Sequence, residues 1–256
     1  MGSRWTLTAA PVPVVSTLAI RTLIPAVPVK EHLWRRRARR VPAGHAAGGR
    51  RARGYRPSVN DAAIDAFQAD RPDTSRRVTL RHLAAHDQDE VLDLVSASTE
   101  LHHPWMSLPS TPDQFQAYLA RYAKPDEESV LICVRGSGAI AGVVNLNSII
   151  RGRFQSGSIA YAAFLPTAGQ GYLTEGLTLV VRYAFEQLRL HRLEAQIQPG
   201  NHASLKLVRR VGFRQEGYSP ELLYIDGAWR DHERWAITTS MIDIPPTPPH
   251  ATLPER

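Results

Sequence analysis

The stretch from Phe154 to Leu188 constrains the fold most. Phe154–Phe164 reads as a strand, Leu165–Gly171 as a glycine-containing loop, and Tyr172–Leu188 as a long helix. In that helix Leu173, Leu177, Val180, Val181, Ala184, Phe185 and Leu188 recur at spacings of three and four, which gives one apolar face. Strand, glycine loop and helix form a unit of α/β architecture. Glycine lets the backbone approach a ligand closely. The first amides of the helix have no internal partners and, with the helix dipole, favour an anion such as a pyrophosphate. Gly169-Gln170-Gly171 taken alone serves equally well as a turn. It lacks the Gly-x-x-x-x-Gly-Lys-Ser/Thr of a nucleotide loop and the third glycine of a dinucleotide fingerprint. Thr174 and Glu175 fall in the first turn, where capping and dipole compensation compete with a direct ligand contact.

The rest of the chain supplies elements on both sides of this unit. Arg76–Arg81 alternates like a strand. Asp87 with Glu90 three residues on predicts a helix start of capping-box type, after which Val91, Leu94 and Val95 share a face. Thr111-Pro112 with Gln114 opens a second helix. Ser129–Arg135 and Ala139–Ile149 are strand candidates, separated by Gly136-Ser-Gly138. Leu193–Gln198 is a short strand and Asn201–Arg210 a helix. Leu222–Ile225 and Trp229–Thr239 form a closing hairpin across Asp226-Gly227. The order predicts a single mixed α/β domain over 76–243, followed by a Pro-rich tail over 244–256.

Residues 1–75 read differently. Pro11, Pro13, Pro25, Pro28 and Arg21 interrupt the apolar stretch, so neither a membrane span nor a secretory signal is expected. The Arg35–Arg40 cluster and the Gly/Arg/Ala run to Arg56 predict a disordered Arg/Pro-rich extension. Residues 1–60 carry 12 Lys/Arg against one acid, Glu31, although the whole chain is only +7. The basic character therefore belongs to this segment and not to the domain. It is open to three readings: a transit-like peptide, a weak nucleic-acid- or ribosome-attracting tail, or an upstream start-site extension. The single cysteine, Cys133, lies in the apolar run Val130–Val134, reads as a buried strand thiol and fits a reducing compartment.

A second motif lies downstream of the glycine loop. Asn201-His-Ala-Ser204 starts a helix, and Gly212-Phe213 ends it. Asn201 can cap the helix and also hydrogen-bond an amide-bearing ligand. Ser204, three residues on, faces the same side. Gly212 reads as a C-cap glycine that returns Phe213 to the core.

Together the two motifs resemble the GNAT acetyltransferase superfamily. Ala168-Gly-Gln-Gly171-Tyr-Leu173 is similar to that family's phosphate loop, with departures at Ala168 and Leu173. Gly171-Tyr-Leu-Thr-Glu175, Asn201-x-x-Ser204, Gly212-Phe213, Glu216-Gly217, Asp226-Gly, Arg230-Asp231, Leu101-His-His-Pro-Trp105 and Thr111-Pro112 look closest to the Rim-type branch. That branch comprises ribosomal-protein N-terminal alanine/serine acetyltransferases. The resemblance covers Arg77–Ile242. It implies a mixed central sheet of about seven strands flanked by about four helices. It also implies acetyl-CoA as cosubstrate and direct transfer to an amine in a ternary complex.

The same resemblance distributes the roles. Cofactor contacts fall to Phe164, Leu165, Gly169, Gln170, Gly171, Tyr172, Leu173, Thr174, Asn201 and Ser204. The family's second-helix tyrosine, a proton donor to the thiolate, is matched here by Val208, so Ser204 takes that place. Glu100 and His103 are candidates for the base, with His102 beside them; imidazole titrates in a suitable range. Trp105, His102 and Tyr161 are candidates for acceptor-side contacts, with core packing as the alternative for Trp105 and strand packing for Tyr161 and Phe164.

Other chemistries lack their residues. His82 and His86 straddle a strand-to-helix junction, so no shared metal is expected. There is no His-Glu-x-x-His, no cysteine pair and no Gly-x-Ser-x-Gly elbow. The expected acceptor is a protein N-terminus, with a small amine as second reading and a non-catalytic acyl-CoA-binding module as third. The setting expected is cytoplasmic, without a membrane, as a monomer or homodimer.

Overall fold

The computed structural model describes residues 59–69 and 76–245. Seven strands form one sheet in the order β1-β2-β3-β4-β5-β7-β6. They are β1 (Val78–His82), β2 (Glu128–Val134), β3 (Ile140–Ile150), β4 (Ser156–Ala163), β5 (Arg192–Ile197), β6 (Arg214–Ile225) and β7 (Ala228–Thr238). Six α-helices accompany them among the described residues: α1 (Val59–Ala69), α2 (Gln88–Ala97), α3 (Thr99–His102), α4 (Pro112–Tyr122), α5 (Tyr172–Glu186) and α6 (His202–Val211). This is the expected mixed α/β sheet, with two more helices than the sequence pattern shows. No helix among the described residues is long and apolar enough to cross a membrane.

Strand β2 and most of β3 are buried on both faces, and alternation sorts their side chains. Val130, Ile132, Val144 and Leu146 join α1, α5 and α6 in one core, where Tyr183 and Leu177 of α5 are fully buried. Leu131, Cys133, Val143 and Ala162 meet Val91, Val95 and Phe115 of α2 and α4 on the other side. Cys133 is a free, buried strand thiol, as its apolar run predicts.

Helix α1 corrects the expected domain start at Arg76. Ile64 and Phe67 lie three residues apart and are 1 % exposed, and the Phe67 ring meets Tyr183 edge to face. Gln68 accepts from the Leu80 amide at 2.7 Å and donates to its carbonyl at 3.0 Å, so it satisfies the outer edge of β1. One apolar face of three turns is a short signal, and the surrounding Pro/Arg-rich composition hides it. The extension expected over 1–75 otherwise falls outside the described residues, as does the Pro-rich tail from 246 on. Ile244, just past the expected domain end, is still 8 % exposed and packs in the core.

Two more expectations change. Asp87 precedes α2 but makes no side-chain cap to it. Its buried carboxylate accepts from both Arg81 guanidinium nitrogens at 2.8 and 2.7 Å and from the Ala84 amide. A buried carboxylate needs a cation more than a helix amide does. Glu90 likewise turns away and accepts from the Ile140 amide. The last hairpin starts at Arg214 rather than Leu222. Gly217 and Pro220 read as breakers, but β6 is an edge strand that tolerates them at irregularities of the ladder. Asp231 secures the irregular stretch, accepting from the Tyr218 hydroxyl at 2.5 Å and the Glu221 amide at 2.8 Å. Asp226 and Gly227 both take positive φ, 50° and 76°, as the two-residue turn requires.

The break that positions the site lies at mid-sheet. β4 and β5 are the parallel neighbours, joined through α5, and they pair only from Ser156↔Arg192 to Ser158↔Glu194. Beyond that point each strand continues without the other, so the sheet opens toward the start of α5.

Candidate active site

The start of α5 is built for close approach. Gly169 and Gly171 have φ of 79° and 85°, and Gly171 is the N-cap. The first backbone bond of the helix runs from the Glu175 amide to the Gly171 carbonyl at 3.1 Å. The amides of Tyr172, Leu173 and Thr174 therefore have no intrahelical acceptor. Thr167 ties the loop to the strands, its hydroxyl donating to the Phe164 carbonyl at 2.9 Å. Arg77, just before β1, braces it from outside. The Arg77 amide and Nε reach the Glu175 carboxylate, and Nη1 donates to the Gln170 carbonyl at 3.1 Å. Its guanidinium lies 4.7 Å from the Tyr172 ring centroid. Glu175 is thus committed to Arg77.

At the other side of the opening, the Asn201 side chain accepts from the Ser204 amide at 3.1 Å, so it caps α6 as predicted. Gly212 closes the helix at φ 105°, and Phe213 returns to the core. Val208, where the family's tyrosine is expected, is fully buried in that core. A tyrosine comes instead from β4: the hydroxyls of Tyr161 and Ser204 lie 2.6 Å apart. Burial pushes the Tyr161 phenol up to about 12, and the Ser204 hydrogen bond only partly offsets this.

Two cavities meet here. One, of about 590 Å³, runs from the α5 start along α6, past Gly169, Gly171, Leu173, Thr174, Ala203, Lys206, Leu207 and Arg210. The other, of about 520 Å³, lies between α4 and the opened strands, and Tyr118, Arg121, Tyr122, Asn145, Asn147, Ser158 and Gln196 line it. Trp105, Met106, Tyr161, Asn201 and Ser204 line both. Trp105 closes the junction against the loop before α6; a Cβ on Gly200 would stand 3.2 Å from its Cη2.

Of the site residues expected from the sequence, the first cavity gathers Glu100, His102, Trp105, Tyr161, Gly169, Gly171, Leu173, Thr174, Asn201 and Ser204. Phe164, Leu165, Gln170, Tyr172 and His103 lie outside both linings. Phe164 is fully buried in the α2/α4 core because, three residues from Tyr161 on an alternating strand, it faces the other way. Leu165 and Gln170 are exposed on the loop, and Gln170 donates to the Pro166 carbonyl. His102 is buried, its Nε2 donating to the Ala163 carbonyl at 2.8 Å, which pins α3 to β4. His103 is largely exposed, with Nε2 3.4 Å from Asp226 at the hairpin tip.

Several contributors escape a reading of the sequence. Lys206 and Arg210 stand four apart on α6 and share a flank with Ala203 and Leu207; the helical period contains that signal. Arg77 has none, because its partners lie 98 and 93 residues away. Tyr118 and Asn145 exchange hydrogen bonds across the second cavity at 2.9 and 2.6 Å, and Tyr122 donates to Asn147 at 2.8 Å. Strand spacing alone does not announce those pairs.

Comparison with known proteins bears on the same residues. The family described as "Acetyltransferase (GNAT) domain" matches residues 77–214. The Bacillus subtilis (strain 168) protein named "Probable N-acetyltransferase YjcK" is 38% identical over 120 residues, 47% of this chain and 66% of that protein. The Escherichia coli (strain K12) [ribosomal protein uS5]-alanine N-acetyltransferase is 36% identical over 115 residues, 45% of this chain and 54% of that protein. The chain thus spans between half and two thirds of the length of these relatives. Among solved structures, Mycobacterium smegmatis RimJ in complex with CoA-disulfide superposes with a TM-score of 0.60 at 26% identity, covering 64% of this chain and 83% of that one.

Proposed function

The chain belongs to the GNAT acetyltransferase family, and on that premise we propose that it transfers the acetyl group of acetyl-CoA to a protein N-terminus beginning with alanine or serine, such as that of a ribosomal protein. The first cavity suits the cosubstrate. Gly169 and Gly171 leave its mouth free of side chains, the three unpaired α5 amides suit the pyrophosphate, and Lys206 and Arg210 add cations at the far end of α6. Past Ser158 the edge of β4 faces no strand and offers backbone groups to an amide-bearing arm. Acetyl-CoA supplies the activated acyl group. Ser204 stands at the third position of α6, where its hydroxyl and the helix dipole favour the charge that develops on the departing sulfur. Of the base candidates, Glu100 lines the first cavity but not the second, and His103 stands outside both, against Asp226.

The observation that carries the acceptor assignment is the lining of the second cavity. Among the described residues it holds amides, hydroxyls and apolar groups, with Arg121 as its charged member and no carboxylate. Arg121 itself contacts Glu127 and Asn147. A polycation would lose its hydration there without a counter-charge. A peptide, carrying one amine and successive backbone amides, finds matched partners in Tyr118, Tyr122, Asn145, Asn147 and Gln196. The reading places the enzyme in the cytoplasm, where reduced Cys133 is at home.

The test is a thiol-release assay with the full chain, acetyl-CoA and a panel of Ala- and Ser-starting peptides, their Nα-blocked versions and spermidine. Free-amine peptides are expected to release CoA, and blocked peptides are not. Faster turnover of spermidine than of every peptide, or no release with any amine, overturns the assignment.

A further inference from the structure

We infer that Tyr161 and Ser204 form a two-hydroxyl relay that carries the proton lost by the attacking amine to the departing CoA sulfur. This rests on the acetyl-transfer reading but not on which amine is the acceptor.

The acceptor cavity and the cofactor cavity share five residues: Trp105, Met106, Tyr161, Asn201 and Ser204. Two of these carry hydroxyls, and those hydroxyls are bonded to each other at 2.6 Å. The bond is therefore a proton path between the place where an amine enters and the place where a thiolate leaves. The other titratable candidates do not span that junction. Glu100 lines the cofactor cavity alone, His103 lies at the surface against Asp226, and the buried His102 nitrogen is engaged by Ala163.

The relay is balanced at every step. The amine nitrogen bonds to the acyl carbon, and the carbon–sulfur bond breaks with its electron pair on sulfur. The proton on nitrogen passes to the Tyr161 oxygen as the Tyr161 proton passes to Ser204 Oγ and the Ser204 proton passes to sulfur. Both hydroxyls end as they began, and no side chain is left ionised. That outcome matters because burial makes the Tyr161 phenol a poor acid. A tyrosine that had to ionise would be unsuited to the task, whereas one that gains a proton as it loses another is not. Ser204 is held for its part by Asn201, which fixes the first turn of α6. An α-amino group, with an ordinary pKa of about 8, already presents a share of neutral amine at physiological pH. The path then needs no separate carboxylate base.

The full chain is assayed with whichever amine it turns over best, in H2O/D2O mixtures, as wild type, Tyr161→Phe, Ser204→Ala, Ser204→Thr and the Phe/Ala double variant. CoA affinity is measured by calorimetry. Each hydroxyl deletion is expected to lower kcat about 100-fold. CoA affinity should stay within about twofold, the margin of a lost contact worth less than about 0.4 kcal/mol. The double variant should be no slower than the worse single one, because the two act as a unit. Ser204→Thr, which keeps the hydroxyl, should recover most of the rate. The rate of the wild type should bend with D2O fraction, as three protons in flight require, and that of the deletions should not. A Tyr161→Phe enzyme with more than half the wild-type kcat overturns the relay, and so do multiplicative losses in the double variant. Turnover of spermidine in place of peptides overturns the acceptor assignment alone, since the same variants still decide the relay.

Discussion

Arg77 and Glu175, 98 residues apart, are joined twice: the Arg77 amide donates to one carboxylate oxygen at 2.6 Å and its Nε to the other at 3.1 Å. The contact clamps the first turn of α5 to the start of β1, at the mouth of the first cavity. Both side chains are partly exposed, so the gain is modest and local. Arg77→Ala is expected to raise the acetyl-CoA KM about fivefold, the upper range for one exposed pair, and to leave kcat unchanged. Steady-state kinetics with varied acetyl-CoA check this; a fall in kcat with constant KM would contradict it.

Lys206 and Arg210 have no carboxylate partner among the described residues, although both line the first cavity. Uncommitted cations there suit the cofactor's phosphates. The Lys206→Ala/Arg210→Ala pair is expected to raise the acetyl-CoA KM about tenfold at low salt, and less at high salt, where screening weakens the wild type too. The acceptor KM should not move. A salt-independent change would point to packing instead.

Gly176 packs α5 directly against Ile132 of β2. A Cβ added there would meet three Ile132 side-chain carbons at 2.4 to 2.6 Å. Gly176→Ala is expected to cost about 1–3 kcal/mol through overpacking. Adding Ile132→Ala removes all three clashing atoms, so the double variant should be more stable than the summed single effects. Urea unfolding of the four proteins measures this, and simple additivity would exclude the clash.

Alkaline stability follows from the buried acids. Burial raises the Tyr161 phenol to about 12, and raises Tyr118, Tyr122 and the Cys133 thiol as well. In the unfolded chain these groups ionise near their ordinary values, about 10 for Tyr and 8.5 for Cys. The folded chain then holds protons that the unfolded chain has released. Stability from this source is complete below pH about 8.5 and is lost as pH rises toward about 12. Unfolding free energy measured from pH about 8 to about 12 should fall, and Tyr161→Phe should make the fall shallower.

Cys133 should be inert in the native state. It is 3 % exposed, and its thiol is shifted away from the reactive thiolate form. An aromatic disulfide reagent is expected to label it only on unfolding. Rapid native labelling would show that β2 opens readily.

The local elements are legible because their signals are local. Periodicity places α5, the Asn201 cap places α6, and Asp226-Gly227 places the last turn, each within two residues of the observed boundaries. Alternation also separates Tyr161 from Phe164, since residues three apart on a strand cannot share a face. Asp87 shows where local rules fail: its position satisfies the cap pattern, but the cation of Arg81 captures it. Helix α1 shows the converse, a weak local pattern made firm by Phe67 against Tyr183.

The sequence by itself determined the order of elements, the glycine-bearing start of α5 and the Asn201–Ser204 helix start, because helix period, turn chemistry and capping act over a few residues. Only the tertiary structure decided that the sheet opens after Ser158, that Arg77 braces the loop and that Tyr161 meets Ser204. The two side-chain pairings among these join residues 43 and 98 positions apart. Such relationships depend on strand register and on which side chains share a face after packing, and no short window of sequence contains that information.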